Sequence, residues 1–307
     1  MSLKFVFFGT PQIAADTLEI LKENGYLPAL IVTALDKPTG RKQIITPPPV
    51  KLWAIQNNIP VLQPEKLNED FKLEIVPRVP RDPELVEWGN WKLGIFIVVA
   101  YGKIMPEELI NLPKLGSINI HYSLLPKYRG AAPVQSAILN GEMETGVTIQ
   151  KMVYKLDTGP IVAQEKVEIG PNEKTPELLE KLAKVGGDLL VKILPDYTEG
   201  KIKLHEQNHA EATFCKKIVK EDGLIQDADL CRLDTDNRGP ETASLSTRLY
   251  NKFRAYYDWP RVYFFKNNKR FIITDAALEN GLFIIKKVLP EGKKEIPYQD
   301  FLKQKKL

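Results

Sequence analysis

The chain has 307 residues, 43% of them apolar, and a formal net charge of +4. That length and apolar content describe a soluble globular protein with a full core and room for two domains, which excludes a disordered or fibrous chain. A charge this small does not by itself argue for a nucleic-acid partner. The charge is unevenly placed, however: the last 66 residues hold 14 Lys and Arg against 6 Asp and Glu, a basic end that suits a polyanion. The two cysteines, Cys215 and Cys231, have no His or Cys at ligand spacing, so neither a disulfide framework nor a metal site is expected. No run approaches the roughly eighteen apolar residues of a membrane helix. The first strand begins at Leu3, leaving no room for a targeting segment, and a cytoplasmic protein is expected.

In chain order, Leu3–Phe8 is an apolar run closed by Gly9, Thr10 and Pro11, followed by an amphipathic stretch from Gln12 to Asn24. Strand, tight turn and helix lead to a second buried strand at Leu27–Thr33, which makes a βαβ unit. The Gly-x-Gly-x-x-Gly fingerprint is absent from the first turn, so a nicotinamide cofactor is not expected. Residues 35–49 form a long, Pro-broken loop, basic at its tip through Lys37, Arg41 and Lys42, with Gly40 to let it bend. A helix from about Val50 to Asn57 and a short strand at Pro60–Leu62 follow. Pro77, Pro80 and Pro83 break the next stretch and leave its elements unassigned.

Lys92–Ala100 carries the β-branched and aromatic run of a central parallel strand and ends in Tyr101-Gly102-Lys103. A short helix near Pro106–Ile110 precedes a strand at Gly116–Ile120. Ala131–Asn140 reads as a helix, Thr145–Val153 and Ile161–Ile169 as strands, and Thr175 to about Ile193 as a longer helix with a capping threonine. Beyond residue 200 the texture changes to a helix at about Ala243–Ala255 and short strands at Val262–Phe265, Phe271–Thr274 and Leu282–Val288, punctuated by Asn267-Asn268 and Asn280-Gly281. The expected fold is therefore α/β: a Rossmann-like, mostly parallel sheet domain over 1–200, a linker at 201–213, and a small OB-like C-terminal barrel over 214–307.

The stretch from Gly116 to Gln135 stands apart from core. Asn119 and His121 lie two residues apart on an extended segment, so they point to one face, beside a Pro- and Gly-punctuated loop carrying Lys127 and Arg129. Ligands in open α/β sheets sit beyond the carboxyl ends of strands, and the turns at Tyr101-Gly102, at His121 and at Leu156-Asp157-Thr158-Gly159 all qualify. A histidine exchanges protons near neutrality, a carboxylate can orient it, and an amide can donate to a developing oxyanion. Each residue alone also suits an ordinary turn or strand end. No Ser or Cys nucleophile stands in an elbow motif, which favours direct group transfer over a covalent enzyme intermediate.

Asn119-Ile120-His121, followed by Ser123-Leu124-Leu125-Pro126-Lys127-Tyr128-Arg129-Gly130-Ala131-Ala132-Pro133, closely resembles the signature of the folate-dependent formyltransferases. The resemblance extends to Phe8-Gly9-Thr10-Pro11, Val98–Lys103 and Leu156–Pro160. Within that family, Lys37-Pro38-Thr39-Gly40-Arg41, Gly-Ala-Ala-Pro at 130–133 and Ala212–Ile218 with Glu221-Asp222-Gly223 resemble the branch acting on methionyl-tRNA.

The resemblance implies transfer of a formyl group from 10-formyltetrahydrofolate to the amine of methionine on initiator tRNA, by direct attack through a tetrahedral intermediate. It makes Asn119, His121 and Asp157 the catalytic trio. Val99, Ala100, Tyr101, Gly102, Ser123, Leu124, Leu125 and Pro126 become the folate-pocket residues, and Lys37, Arg41 and Lys42 the tRNA contacts. No metal is implied, and a monomer is expected. The alternative within the family is an amino sugar nucleotide or other small amine as acceptor. The chain departs from the family pattern at Tyr122, where a small residue or Pro is usual, at Asp258 in place of Pro, and at Arg261 in place of Gly.

Overall fold

The computed structural model describes residues 3–40, 42–68, 71, 94–233 and 240–303. Arg41, Pro77, Pro80, Pro83, Asp234 and Asp236 lie outside them. The chain divides into two compact units, one of residues 1–130, 146–167 and 180–214, the other of residues 131–145, 168–179 and 215–307.

In chain order the strands are β1 (Phe5–Gly9), β2 (Leu30–Val32), β3 (Lys37–Thr39), β4 (Ile44–Thr46), β5 (Val61–Leu62), β6 (Ile95–Val99), β7 (Ser117–His121), β8 (Arg129–Gly130), β9 (Glu144–Lys151), β10 (Ile161–Glu168), β11 (Phe214–Cys215), β12 (Tyr263–Lys266), β13 (Lys269–Glu279), β14 (Leu282–Pro290) and β15 (Ile296–Pro297). Seven of them form one sheet in the order β10-β9-β7-β6-β1-β2-β5. The pairs from β5 through β7 are parallel, and β9 then joins β7 antiparallel.

Every residue of β1 and β6 is buried, as continuous apolar runs in a parallel sheet must be. Burial of each such side chain contributes about 1.5–3 kcal/mol relative to exposure. The helix Gln12–Glu23 turns Ile13, Ala14, Leu18 and Leu21 inward at helical spacing, which fixes the crossover from β1 to β2. β2 is shorter than the apolar run expected to form it, Leu30–Val32 within Leu27–Thr33, because ladder pairing stops before the hydrophobic pattern does; β6 takes up Ile95–Val99 of the expected Lys92–Ala100, of which Lys92 and Leu93 lie outside the described residues.

Residues 35–49 depart from the open loop expected of them. Thr39 pairs with Ile44 and Lys37 with Thr46, which makes a β3–β4 hairpin. Gly40 holds the turn at φ +69°. The base of the hairpin is fixed by Asp36, whose carboxylate accepts from Lys51 Nζ at 2.8 Å and from Gln63 Nε2 at 2.8 Å.

The second unit contains an antiparallel four-stranded sheet in the order β12-β13-β14-β15. Two of its three hairpin connections use the residues the sequence marks, Asn267-Asn268 and Asn280-Gly281, all with positive φ. Phe264 stacks on Phe271 with ring centroids 5.4 Å apart, and Phe301 caps the pair, 4.7 Å from Phe271. The helix Pro240–Ala255 starts before the expected Ala243, and a further helix at Asp227–Leu233 was not anticipated from the sequence. Arg261 adopts φ +68°, the left-handed region where the resemblance leads one to expect Gly, so this chain holds a large side chain in a backbone conformation that glycine favours. Tyr122 is buried, its ring lying against Gly186 of the helix Thr175–Thr198, and burial raises its phenol above the ordinary range.

Candidate active site

The parallel register places Asn119 beside Val98 and Ile120 beside Val99, so β6 ends one residue before His121, the last residue of β7. On the other side Asn119 stands opposite Gln150 and His121 opposite Thr148. At the switch from parallel to antiparallel neighbours the sheet thus delivers an amide, an imidazole and a second amide to one place. Thr10 at the end of β1 donates to the Tyr101 carbonyl at 3.0 Å and ties the first strand end to the same edge.

His121 is only 6% exposed. Its Nε2 lies 2.9 Å from the Tyr128 carbonyl oxygen, which can only accept, so Nε2 carries the proton. Nδ1 faces Asp157 Oδ2 at 3.8 Å, within ion-pair reach when the ring is protonated. Asp157 sits at φ +52° in its turn, and its carboxylate is held from two sides. The Gly130 N–H donates to Oδ2 at 2.8 Å and Gln150 Nε2 donates to Oδ1 at 2.9 Å. Asn119 is half-buried, and its side-chain amide forms no hydrogen bond with the described residues. The structure therefore joins His121 to Asp157 directly and brings Asn119 alongside through the ladder, one strand from Gln150.

Of the residues that fix this cluster, Arg129 lies in the signature stretch, whereas Gln150 and Gln207 belong to no motif. Gln150, Gln207 and Arg129 are all buried. Arg129 Nη2 donates to Gln207 Oε1 at 2.6 Å and to His209 Nδ1 at 2.8 Å. Burial draws the Arg129 guanidinium below its ordinary range while Asp157 acts the other way, and the group stays charged. Alternation along β9 could have singled out Thr148 and Gln150 as polar residues in a buried strand; nothing local marks Gln207.

The turn carrying Asp157 needs glycine two residues on. A Cβ at Gly159 would stand 1.7 Å from the Lys151 carbonyl oxygen, so only a residue without one fits there.

The two segments expected to hold folate differ. Val99 and Tyr101 are buried, while Ala100 and Gly102 are exposed at φ +46° and +81°, with no atom within 4 Å of a Cβ at Gly102. This is exposed main chain with open space beside it. Ser123 and Leu125 are buried, Leu124 and Pro126 half-buried. Their loop is pinned by Thr148, whose hydroxyl donates to Ser123 O at 2.6 Å and accepts from Leu125 N at 3.0 Å, and by Gln164, which donates to Leu125 O at 2.7 Å. Lys37 and Lys42 are exposed on the β3–β4 hairpin. No group of three His, Cys, Asp or Glu with metal-binding geometry occurs among the described residues, and no helix there is long and apolar enough to cross a membrane.

Residues 3–194 match the family described as formyl transferase. The chain belongs to the formyl transferase family. Among its relatives, the methionyl-tRNA formyltransferase of Halalkalibacterium halodurans is 36% identical over 98% of this chain and 94% of its own length. The methionyl-tRNA formyltransferase of a Sulfurihydrogenibium species is 39% identical over 90% of this chain and 80% of its own. Solved structures of formyl transferases share the fold. An N-formyltransferase from Helicobacter canadensis, in complex with folinic acid and dTDP-3-aminofucose, superposes with a TM-score of 0.60 at 21% identity, over 91% of this chain and 89% of that one. The methionyl-tRNA formyltransferase from Clostridium thermocellum gives 0.56 at 15% identity, over 94% and 98%.

Proposed function

We propose that this formyl transferase moves the formyl group of 10-formyltetrahydrofolate to the α-amino group of methionine on initiator tRNA. The observation that carries the reading is the 36–39% identity to methionyl-tRNA formyltransferases across 90–98% of the chain, a span reaching well past the formyl transferase match at residue 194.

In this reading residues 1–200 carry out the transfer, 201–213 link, and 214–307 bind tRNA. Folate lies along Val99–Gly102 and Ser123–Pro126, where the exposed main chain of Ala100 and Gly102 suits a ring rich in donors and acceptors. Asn119, with its amide unengaged, donates to the oxygen that gains charge as the neutral amine attacks the formyl carbon. His121 Nε2 exchanges its Tyr128 partner for the same oxygen, while Asp157 balances the ring when it is protonated and assists passage of the amine proton to the folate nitrogen, which leaves as its bond to the formyl carbon breaks. Each such donor is worth roughly 2.7–4 kcal/mol of barrier. Lys37, Arg41 and Lys42 contact the acceptor end of the tRNA, and the basic C-terminal end meets its phosphates. The enzyme works as a cytoplasmic monomer.

Incubation with formyl-folate and either methionyl-tRNA or an amino sugar nucleotide tests this. Formylation of methionyl-tRNA is expected. Transfer to the amino sugar and not to the tRNA overturns the reading in favour of a small-amine acceptor.

A further inference from the structure

We propose that Gln207 is a positioning residue of the transfer site, holding the main chain at Asp157 and Gly159 in register with Arg129. The proposal rests on the reading of Asp157 as a functional carboxylate.

Gln207 lies in the stretch that the sequence reading treats as a linker, yet it is only 5% exposed. Its carboxamide has four hydrogen-bonding positions and all are used. Nε2 lies 3.0 Å from the Asp157 carbonyl oxygen and 2.7 Å from that of Gly159. Oε1 lies 3.2 Å from Arg129 Nε and 2.6 Å from Arg129 Nη2. The partners leave no freedom in the assignment, since carbonyl oxygens only accept and a guanidinium only donates. The amide therefore stands in one orientation, N toward the Asp157 turn and O toward Arg129.

That orientation matters because the Asp157 turn is not a relaxed one. Asp157 has φ +52°, a backbone conformation that costs a residue with a side chain, so a restraint from outside the turn helps keep the carboxylate aimed at His121. Gln150 and the Gly130 N–H hold the carboxylate itself. Gln207 holds the two carbonyls that bracket Thr158, and no other described side chain grips both. Arg129, one residue after Tyr128, belongs to the loop on which His121 rests its Nε2. One amide thus spans from the loop beside the imidazole to the turn beside the carboxylate. Errors of about 1 Å in such placements cost rates on the order of a hundredfold.

Gln207→Glu is the sharpest probe. It keeps the shape and keeps an acceptor toward Arg129, but sets an oxygen against the two carbonyls that Nε2 now serves. Gln207→Met removes both halves without adding charge. The wild type, assayed alongside for formylation of methionyl-tRNA, keeps the two failures apart: an inactive wild type defeats the functional reading and leaves the positioning role to be read from exchange. In an active background both variants should lose about ten- to a hundredfold in kcat while the KM values for folate and tRNA move less than about threefold. A lowered melting temperature with unchanged kcat overturns the proposal and leaves Gln207 a packing residue. For the case that neither variant folds, the wild-type carboxamide protons of Gln207 provide the check: slow solvent exchange in the folded chain is expected, and exchange as fast as at an exposed glutamine refutes the clamp.

Discussion

The cluster around His121 and the β3–β4 hairpin are built on opposite plans. In the cluster His121, Arg129, Gln150 and Gln207 are all buried and interlocked, so donors and acceptors are aimed before any substrate arrives. In the hairpin every described residue of both strands is exposed, and the short ladder depends on the anchor at its base, Asp36 with Lys51 and Gln63. Chemistry that stabilises a developing charge gains from dipoles that need no reorganisation. Recognition of a polyanion gains from solvated charges at the end of an extended arm, where affinity comes from released counterions. The two regions should therefore fail differently, one in turnover and the other in binding.

The largest effects fall in the cluster. Asn119→Ala and His121→Ala should each lower kcat on the order of a hundredfold or more, measured at saturating substrates. A loss below about threefold would remove either residue from the chemistry. Gly159→Ala comes next. Its methyl would meet the Lys151 carbonyl, so the turn must shift, and a stability loss of about 1–3 kcal/mol in thermal unfolding should accompany reduced turnover. In the hairpin, Lys37→Ala and Lys42→Ala should leave kcat and folate binding alone, raise the KM for tRNA, and reduce the salt slope of tRNA binding by about one for each lysine that meets a phosphate. An unchanged slope would leave the hairpin lysines as solvated surface.

The smallest effect concerns pH. The Asp36 carboxyl is held below its ordinary range, first by Lys51 and then by Gln63. A depressed carboxyl gives stability that is present above the unfolded value near pH 4 and is lost as pH falls through the lower folded value. Asp36→Asn should flatten that acid limb in pH-dependent melting, and an identical limb would show that the pairing contributes nothing to stability.

Much of the first unit was legible because its strands are continuous apolar runs ended by Gly, Pro or Tyr-Gly. Asn119 and His121 were legible as an i, i+2 pair at a strand end. The hairpin at 37–46 was not, since Pro38 and the exposed Ile44 and Ile45 give no alternation to read. Gln207 was invisible for a different reason: it sits in a segment with no regular structure, and its meaning depends on carbonyls about fifty residues earlier and on Arg129, 78 residues earlier. The helix at Asp227–Leu233 was obscured by its aspartates, which favour caps and turns over helix interiors.

Asn119, His121, Asp157, Arg129, Gln150 and Gln207 all fall within the first compact unit, although Gln207 arrives only after the chain has passed through part of the second. Deleting everything after residue 200 would thus remove the clamp along with the C-terminal sheet. The smallest fragment able to keep this cluster intact must run past Gln207 and His209, a limit set by hydrogen bonds and missed by any boundary drawn at the end of the helix Thr175–Thr198.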